Sequence, residues 1–189
     1  AICLQETLLK PNVTPTFKHY SAYYKSTVNG HGGVCILVKN SVIHSQVQFQ
    51  ADIQAVAVCV SIEKKSYTIA CVYAPPSETL KEGAVKRMID KFPTRYMILG
   101  DFNAHNQLWG ATSNNDKGVT VQKIIDDYNL CNLNVTVPTR FDTYHQSSSL
   151  IDLSLCHPSI YMDLDIEVLS DSRGSDHYPI LITATSDHP

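Results

Sequence analysis

A carboxylate and a carboxamide, Asp101 and Asn103, stand two residues apart at the end of a short apolar run, where side chains of these types can do chemistry. The run, Tyr96 to Leu99, has the composition of a buried strand, and Gly100 closes it. If the extended backbone continues past the glycine, both side chains leave it on the same side. The carboxylate would then bind a metal ion or a proton while the amide donates a hydrogen bond to the same ligand. Residues of these types also form turns, so a simple turn is the competing interpretation.

Two further polar clusters lie next to apolar runs far away in the sequence. Ser175-Asp176-His177 precedes the run Tyr178 to Ala184, and Gln5-Glu6-Thr7 follows Ile2-Cys3-Leu4. An adjacent aspartate and histidine at the mouth of a strand is harder to explain as turn chemistry. Each of three apolar runs is therefore followed or preceded by side chains that could bind a metal ion. This favours a site assembled from the ends of strands.

Length and cysteine content indicate a single soluble domain. A chain of 189 residues fits one domain, residues 1–189, with a sizeable hydrophobic core. The six cysteines lie mostly inside apolar runs and lack the spacing of a zinc site or a redox pair, so we expect reduced core thiols. No segment is long enough to span a membrane and no leader precedes the first strand, which predicts an intracellular protein.

The formal charge of −3 limits the ways in which the chain can bind nucleic acid. Lysine and arginine supply most of the affinity of non-specific nucleic-acid binding, so a strong non-specific binder is disfavoured. An enzyme that meets phosphate through a divalent cation is still compatible with this charge, because the cation neutralises the carboxylates that hold it.

Continuous, β-branched apolar runs predict a series of strands, and two segments have helical periodicity. The predicted strands are Gly33 to Lys39, Ala55 to Ile62, Tyr67 to Tyr73, Tyr96 to Leu99, Ile151 to Cys156, Ile166 to Leu169 and Tyr178 to Ala184. The second and third of these suggest an antiparallel pair joined through residues 63–66. The predicted helices are Thr79 to Lys91 and Gly118 to Tyr128. Many strands with few helices indicate a mixed sheet, or two packed sheets with helices outside.

Five short segments in a fixed order resemble the exonuclease, endonuclease and phosphatase superfamily with the DNase-I-like fold. They are Gln5-Glu6-Thr7, Val72 to Pro76, Gly100 to Asn103, Ser149 to Leu153 and Ser175-Asp176-His177. Within that superfamily the chain looks most like the endonuclease domain of LINE-type, non-LTR retrotransposons. That closer resemblance rests on Asp101 to His105, Trp109-Gly110, Leu130 to Asn134, Pro138 to Phe141 and the serine-rich lead into Ile151. It covers essentially the whole chain.

The resemblance implies a fold and an activity. The fold would be α+β, a four-layer sandwich of two packed mixed β-sheets flanked by helices. The activity would be nicking of double-stranded DNA in the nucleus, leaving a 3′-hydroxyl for target-primed reverse transcription. A reverse transcriptase domain is expected in the same full-length polypeptide. No membrane is expected to take part, and the domain is expected to be monomeric.

The resemblance also implies roles for individual residues in phosphodiester hydrolysis, which needs an activated water, charge stabilisation and help for the departing oxygen. Glu6 would hold a divalent cation, Mg²⁺ or alternatively Mn²⁺, with Asp176 beside it. His177, oriented by Asp152, would activate water or stabilise the attacked phosphate. Asp101 would position the nucleophile or protonate the leaving group.

Further residues are implied as contacts to DNA. Asn103 and Tyr73 would contact the phosphate, and Thr139 matches a phosphate-contacting threonine of the retrotransposon enzymes. The segment from Arg140 to Leu150 corresponds to a hairpin that those enzymes lay against DNA. Its candidate contacts to phosphate or the minor groove are Arg140, Tyr144 and His145, with a solvated hairpin tip as the equally supported alternative.

The chain departs from the family pattern at its start. Family members carry one more strand before the position of Ile2, and that strand ends in an asparagine that helps to hold the metal. Its loss would leave ladder groups unpaired and a core face open, so we expect this chain to be weakly active or inactive unless the segment is restored.

Two other readings compete with a retrotransposon endonuclease. A catalytically inactive remnant of such a domain would bind DNA or a protein partner. An inositol polyphosphate or sphingomyelin phosphodiesterase of the same superfamily shares the Gly-Asp-x-Asn and Ser-Asp-His signatures, but no arginine-rich substrate motif follows Asn103.

Overall fold

Thirteen short strands, two α-helices and two 3₁₀ helices (Gln107–Trp109 and Pro158–Asp163) make up the regular structure in a computed structural model, which describes residues 1–134 and 136–185. The strands are β1 (Ile2–Gln5), β2 (Tyr20–Lys25), β3 (Val34–Lys39), β4 (Ile43–Val47), β5 (Gln54–Ile62), β6 (Lys65–Tyr73), β7 (Tyr96–Asp101), β8 (Cys131–Asn132), β9 (Arg140–Asp142), β10 (Ser147–Ser149), β11 (Asp152–Cys156), β12 (Leu164–Val168) and β13 (Ile180–Ala184). The helices are α1 (Glu82–Ile89) and α2 (Asp116–Tyr128).

A six-stranded mixed sheet with the order β4-β5-β6-β7-β11-β8 forms the centre of the fold. Its strands pair antiparallel except for β6 and β7, which run parallel and are connected through α1. The predicted antiparallel pair of β5 and β6 is confirmed, with a tighter connection than expected. Glu63 and Lys64 both adopt left-handed φ angles of 50° and 66°, as a two-residue hairpin turn requires.

Each face of the central sheet is covered by a different layer. Alanine, leucine and valine side chains of one face pack against α1 and α2. The opposite face carries Val56, Val58 and Val60 of β5, which pack against two smaller sheets, β1-β3-β2 and β12-β13. The described residues therefore contain the two predicted packed layers of sheet and one of the flanking layers of helix.

Gly100 allows β7 to lie close enough to β6 for the two strands to pair at their carboxyl ends. Its φ angle is 150°, and a Cβ atom built there would lie 1.8 Å from the carbonyl oxygen of Val72. Any other residue would push the strands apart. The glycine thus sets the spacing of the strand ends that carry Tyr73 and Asp101, which are direct neighbours in the register.

The structure adds strands that the sequence patterns did not predict. In β2 the side chains are all half-buried apart from exposed Lys25, and in β4 exposed and half-buried residues mix, so neither has a continuous apolar run. Both are edge strands, where one neighbour and solvent replace a buried environment. The helix predicted for Thr79 to Lys91 is shorter, because α1 begins after Lys81, whose side chain makes no capping hydrogen bond.

Strand β1 pairs on one side only, with β3, in the part of the chain that the structure describes. Its Ile2 and Leu4 side chains are exposed, while Cys3 packs toward the core. All six cysteines are free thiols, as the sequence predicted. No described helix combines the length and the apolar character needed to cross a membrane.

Candidate active site

Two buried carboxylates and an imidazole meet at the ends of β7 and β11. Asp101 and Asp152 are direct neighbours in the antiparallel register of these strands, and both side chains are buried. The ligand atoms of Asp101, Asp152 and His177 lie within 4.8 Å of one another. The structure therefore brings together three residues that the sequence predicted to be catalytic, from segments more than 20 residues apart.

The Asp101 side chain is fixed by Asn103, through a turn and not through continued strand geometry. Strand β7 ends at Asp101, and Asn103 adopts a left-handed φ of 46°. The Asn103 backbone N–H donates to Asp101 Oδ1, and its Nδ2 donates to Asp101 Oδ2, both at 2.8 Å. The turn interpretation is thus correct for this segment, and the turn is what places the amide on the carboxylate. The catalytic role of the two residues stays a prediction.

Asp152 is held in a polar cradle made mainly by Thr139. The Thr139 hydroxyl donates to Asp152 Oδ2 at 2.6 Å and accepts from the backbone N–H of Asp152 at 3.1 Å. Thr139 is 0% exposed. Its hydroxyl orients Asp152 and is buried, and its predicted phosphate contact stays a prediction.

His177 is aimed at Asp152 by both its ring and its backbone. Its Nδ1 donates to Asp152 Oδ2 at 2.8 Å. The surrounding backbone pairs with the start of β9, since Tyr178 N–H donates to Thr139 O at 2.7 Å and His177 forms a bridge with Arg140. With Nδ1 used by Asp152, Nε2 is the nitrogen that can meet a substrate.

The electrostatics of this group raise the pKa of both Asp101 and His177 above their ordinary values. Burial, reinforced by the negative charge of Asp152, raises the pKa of Asp101 to about 7. Burial alone would lower the pKa of His177, but the hydrogen bond to Asp152 and the charges of Asp152 and Asp101 raise it overall. The arrangement is therefore suited to exchange protons with a bound reactant.

Glu6 and Tyr73 form a second pair beside the first. The Tyr73 hydroxyl donates a short hydrogen bond to Glu6 Oε1. Burial, together with that bond and the Glu6 charge, raises the pKa of Tyr73 well above its ordinary value. Glu6 has a left-handed φ of 49°, and its charge acts on Asp101, so the predicted metal ligand lies within electrostatic reach of that carboxyl group.

Asp176 is engaged by Arg140 and not by the group around Glu6. Arg140 Nε donates to Asp176 Oδ2 at 2.8 Å. Burial alone would raise the pKa of Asp176, but the Arg140 hydrogen bond and the His177 charge hold it below its usual value. Its role as a metal ligand stays a prediction.

Strands β9 and β10 form the predicted hairpin, joined by residues 143–146. The Asp142 carboxylate accepts hydrogen bonds from the backbone N–H groups of Tyr144 and His145, which orders the tip. Tyr144 is 88% exposed, and its ring packs edge-on against His145. The hairpin therefore presents two rings to solvent while Arg140, at its base, reaches the active site.

Three residues that hold this site together were not predicted from sequence. Asn134 is buried and links the Asp152 carbonyl, at 2.7 Å, to the Ser154 N–H, at 2.8 Å. Asn115 caps α2 through its hydrogen bond with Gly118 N–H. Its position three residues before a helical glycine could have suggested a cap. No sequence signal marks buried Lys117, whose contacts are entirely long-range.

The donor set fits a hard divalent cation. Carboxylate oxygens of Asp101, Asp152 and nearby Glu6 are ligands that Mg²⁺ and Mn²⁺ prefer. Two buried carboxylates this close together repel each other unless a proton or a cation compensates them. That repulsion adds to burial, the larger cause, in raising the pKa of Asp101.

Comparison with known proteins relates the chain to mobile elements. The family model described as endonuclease-reverse transcriptase matches residues 67–181. The probable RNA-directed DNA polymerase from transposon X-element of Drosophila melanogaster is 28% identical over 188 residues, covering 96% of this chain and 21% of that protein. The RNA-directed DNA polymerase from mobile element jockey, of the same species, is 28% identical over 171 residues, covering 88% and 18%. The chain thus spans about a fifth of the length of these relatives.

Solved structures show the same fold. The endonuclease domain of TRAS1, a telomere-specific non-LTR retrotransposon, superposes with a TM-score of 0.77 at 22% identity, covering 89% of this chain and 81% of that chain. An endonuclease/exonuclease/phosphatase family protein from Leptotrichia buccalis gives a TM-score of 0.62 at 13% identity, covering 90% and 73%. The predicted DNase-I-like fold is confirmed.

Proposed function

Because the chain belongs to the endonuclease-reverse transcriptase family, we propose that it is a divalent-metal-dependent endonuclease that nicks double-stranded DNA. The observation that carries the proposal is the group of Asp101, Asp152 and His177 at adjoining strand ends. The relatives named as RNA-directed DNA polymerases support a reverse transcriptase in the same full-length polypeptide. The nick would then supply the 3′-hydroxyl that primes reverse transcription, and we propose that it is made in the nucleus.

In the proposed reaction, water attacks phosphorus and the bond from phosphorus to the 3′ oxygen breaks. Asp101, ionised in a large fraction of molecules near its pKa of about 7, accepts the proton of the attacking water. Protonated His177 donates a hydrogen bond from Nε2 to a non-bridging oxygen, and Asp152 compensates its positive charge. The departing 3′ oxygen takes a proton from solvent, so the products are a 3′-hydroxyl and a 5′-phosphate.

Glu6 is proposed to hold Mg²⁺, and Asp176, whose Oδ1 takes no part in the Arg140 hydrogen bond, is proposed as a further ligand. A bound divalent cation would stabilise the negative charge that develops on the phosphate. Holding a cation would take the Glu6 carboxylate away from Tyr73, and the Tyr73 hydroxyl would then be free to donate to the phosphate. Both N–H groups of the Asn103 amide are used, by Asp101 Oδ2 and Ala74 O, so Asn103 orients Asp101 and reaches phosphate only if it exchanges the weaker bond at 3.3 Å.

Nicking of supercoiled plasmid tests the proposal. We expect conversion to the open circle in the presence of Mg²⁺, none in EDTA, and ends that a DNA polymerase extends without phosphatase treatment. Extension that requires phosphatase treatment first would show that the other phosphorus–oxygen bond is cut. Metal-independent nicking would contradict the proposed cation site, and cleavage of phosphoinositide or sphingomyelin with none of DNA would favour the alternative phosphodiesterase.

A further inference from the structure

The ammonium group of Lys117 is buried beneath the backbone that follows β6. Lys117 is the second residue of α2 and is 7% exposed. Its Nζ donates to the carbonyl oxygen of Ala74 at 3.2 Å and, through a shorter bond, to that of Pro75. Burial lowers the pKa of this group, while the negative charges of Asp101 and Glu78 oppose the shift. The cation therefore lies within electrostatic reach of the active site.

Helix α2, which carries Lys117, is fixed to the turn that holds Asn103. Asn115 Nδ2 donates to Asn103 O at 2.9 Å, and Asn115 Oδ1 accepts from His105 N–H at 3.0 Å. Gly118 permits this approach, since a Cβ atom there would lie 1.8 Å from the His105 carbonyl oxygen. The first turn of the helix and the Asn103–His105 backbone thus form one connected unit.

Ala74 is the point at which this unit meets the other active-site strand. Its N–H donates to Asp101 O at 2.8 Å, and its carbonyl accepts from both Asn103 Nδ2 and Lys117 Nζ. Ala74 directly follows Tyr73, the partner of Glu6. Lys117 therefore connects the backbone next to Tyr73 to helix α2, which is itself hydrogen-bonded to the Asn103 turn.

Stability alone does not favour lysine at this position. A buried ammonium loses its hydration, and a cation in the first turn of a helix faces the positive end of the helix dipole. An apolar side chain of similar length would fill the same space without either cost. Unlike an apolar side chain, Lys117 donates hydrogen bonds to the two carbonyl groups.

We propose that Lys117 is a positioning residue for phosphodiester hydrolysis, holding Ala74 and Pro75 so that Tyr73 and the Asp101–Asn103 turn face the scissile phosphate together. This inference rests on the proposed nuclease function. It assigns a role in the reaction to a buried cation that contacts none of Asp152, His177 or Glu6 in the hydrogen-bond pattern of the described residues.

The test compares Lys117→Met, which removes the donors, with Lys117→Arg, which keeps the charge and donors. Lys123→Met is the matched control, because Lys123 lies on the same helix with a side chain that is 60% exposed and pairs with Glu82. The readouts are kcat and KM for nicking of a DNA duplex, the urea midpoint, and amide hydrogen exchange at Ala74 and Asn103 in the metal-free protein.

A misplaced reacting group typically costs up to about 100-fold, so we expect Lys117→Met to lower kcat by about 10–100-fold while KM changes less than about threefold. Exchange at Ala74 and Asn103 should accelerate in Lys117→Met. Lys117→Arg should recover most of the kcat, and Lys123→Met should behave as wild type. If Lys117→Met does not fold, Lys117→Gln replaces it, with the same direction expected in kcat and exchange.

Equal kcat values for Lys117→Met and Lys123→Met would overturn the inference. So would a loss that Lys117→Arg does not recover and that follows only the unfolded fraction. If wild type itself fails to nick DNA, the proposed function fails separately, and the exchange rates still decide whether Lys117 orders Ala74 and Asn103.

Discussion

Asp101 titrates near neutrality in the folded chain, with a pKa of about 7 against an ordinary value of 3.8. A carboxyl whose pKa is raised by folding binds its proton more tightly in the folded state. The protein therefore loses stability as the pH rises from 3.8, the ordinary pKa, to about 7, the pKa in the folded chain. We expect Asp101→Asn, which cannot ionise, to raise the free energy of unfolding by about 2–4 kcal/mol at pH 8 and to change it little at pH 4. Urea unfolding at both pH values measures this.

The control for that experiment is Asp165→Asn, an exposed aspartate on β12. It should change stability by a similar small amount at both pH values. An Asp101→Asn effect that is the same at pH 4 and pH 8 would mean that folding does not raise the pKa of Asp101.

Thr139 gives a second prediction at the scale of one residue. In Thr139→Val, Asp152 Oδ2 loses a donor and the Asp152 N–H loses its acceptor, both in a buried place. We expect a loss of about 1–3 kcal/mol in the free energy of unfolding, and a lower kcat because His177 is less well oriented. Thr139→Ser keeps the hydroxyl and should recover most of both. Unchanged stability with a raised KM for DNA would instead support the phosphate contact implied by the sequence.

At the scale of elements, the pairing of β6 with β7 depends on Gly100. A Cβ atom 1.8 Å from Val72 O cannot be accommodated without separating the strands. We expect Gly100→Ala to lower the free energy of unfolding by about 3 kcal/mol or more. Gly174→Ala is the control, because its φ of 87° is also left-handed but no atom lies within 4 Å. That change should cost only about 1 kcal/mol, and equal losses in the two variants would refute the steric argument.

The hairpin of β9 and β10 is expected to influence where DNA is cut. Replacing residues 143–146 by a short glycine-containing turn removes the exposed Tyr144 and His145 but keeps β9 and β10, which pair Arg140 with Ser149. We predict that the nicking position shifts on a DNA substrate while the basal rate is preserved. Sequencing of the nicked ends measures this, and an unchanged site preference would mean that the tip is only a solvated turn.

Sequence patterns predicted the strands that are buried and continuously apolar. They did not predict strands whose side chains are partly exposed to solvent. The apolar runs of β5, β6 and β7 are visible because both faces of the central sheet are covered. Strands β2 and β4 lie at sheet edges with mixed exposure, so their composition carries little signal. Turn geometry was equally hidden, and Asn103 reaches Asp101 through a left-handed turn where an extended strand was expected.

At the scale of the whole molecule, the fold assembles a candidate site from segments that span most of the chain. Residue types, their order and the family resemblance predicted roles for five residues, and the structure places these side chains in two adjoining groups. The five are Glu6, Tyr73, Asp101, Asp152 and His177. The residues that hold them were not predictable. Lys117 and Asn134 act through contacts to residues 42 and 18 positions away, which only the folded chain defines.

The central claim is that Asp101, Asp152 and His177 together hydrolyse DNA. It is tested most directly by the nicking rate of His177→Ala in Mg²⁺, beside wild type and His44→Ala, a histidine on the opposite edge strand β4 of the central sheet. Wild type and His44→Ala should both nick plasmid above the rate without protein, and His177→Ala should be slower by about 100-fold or more. Nicking by His177→Ala at the wild-type rate would contradict the account.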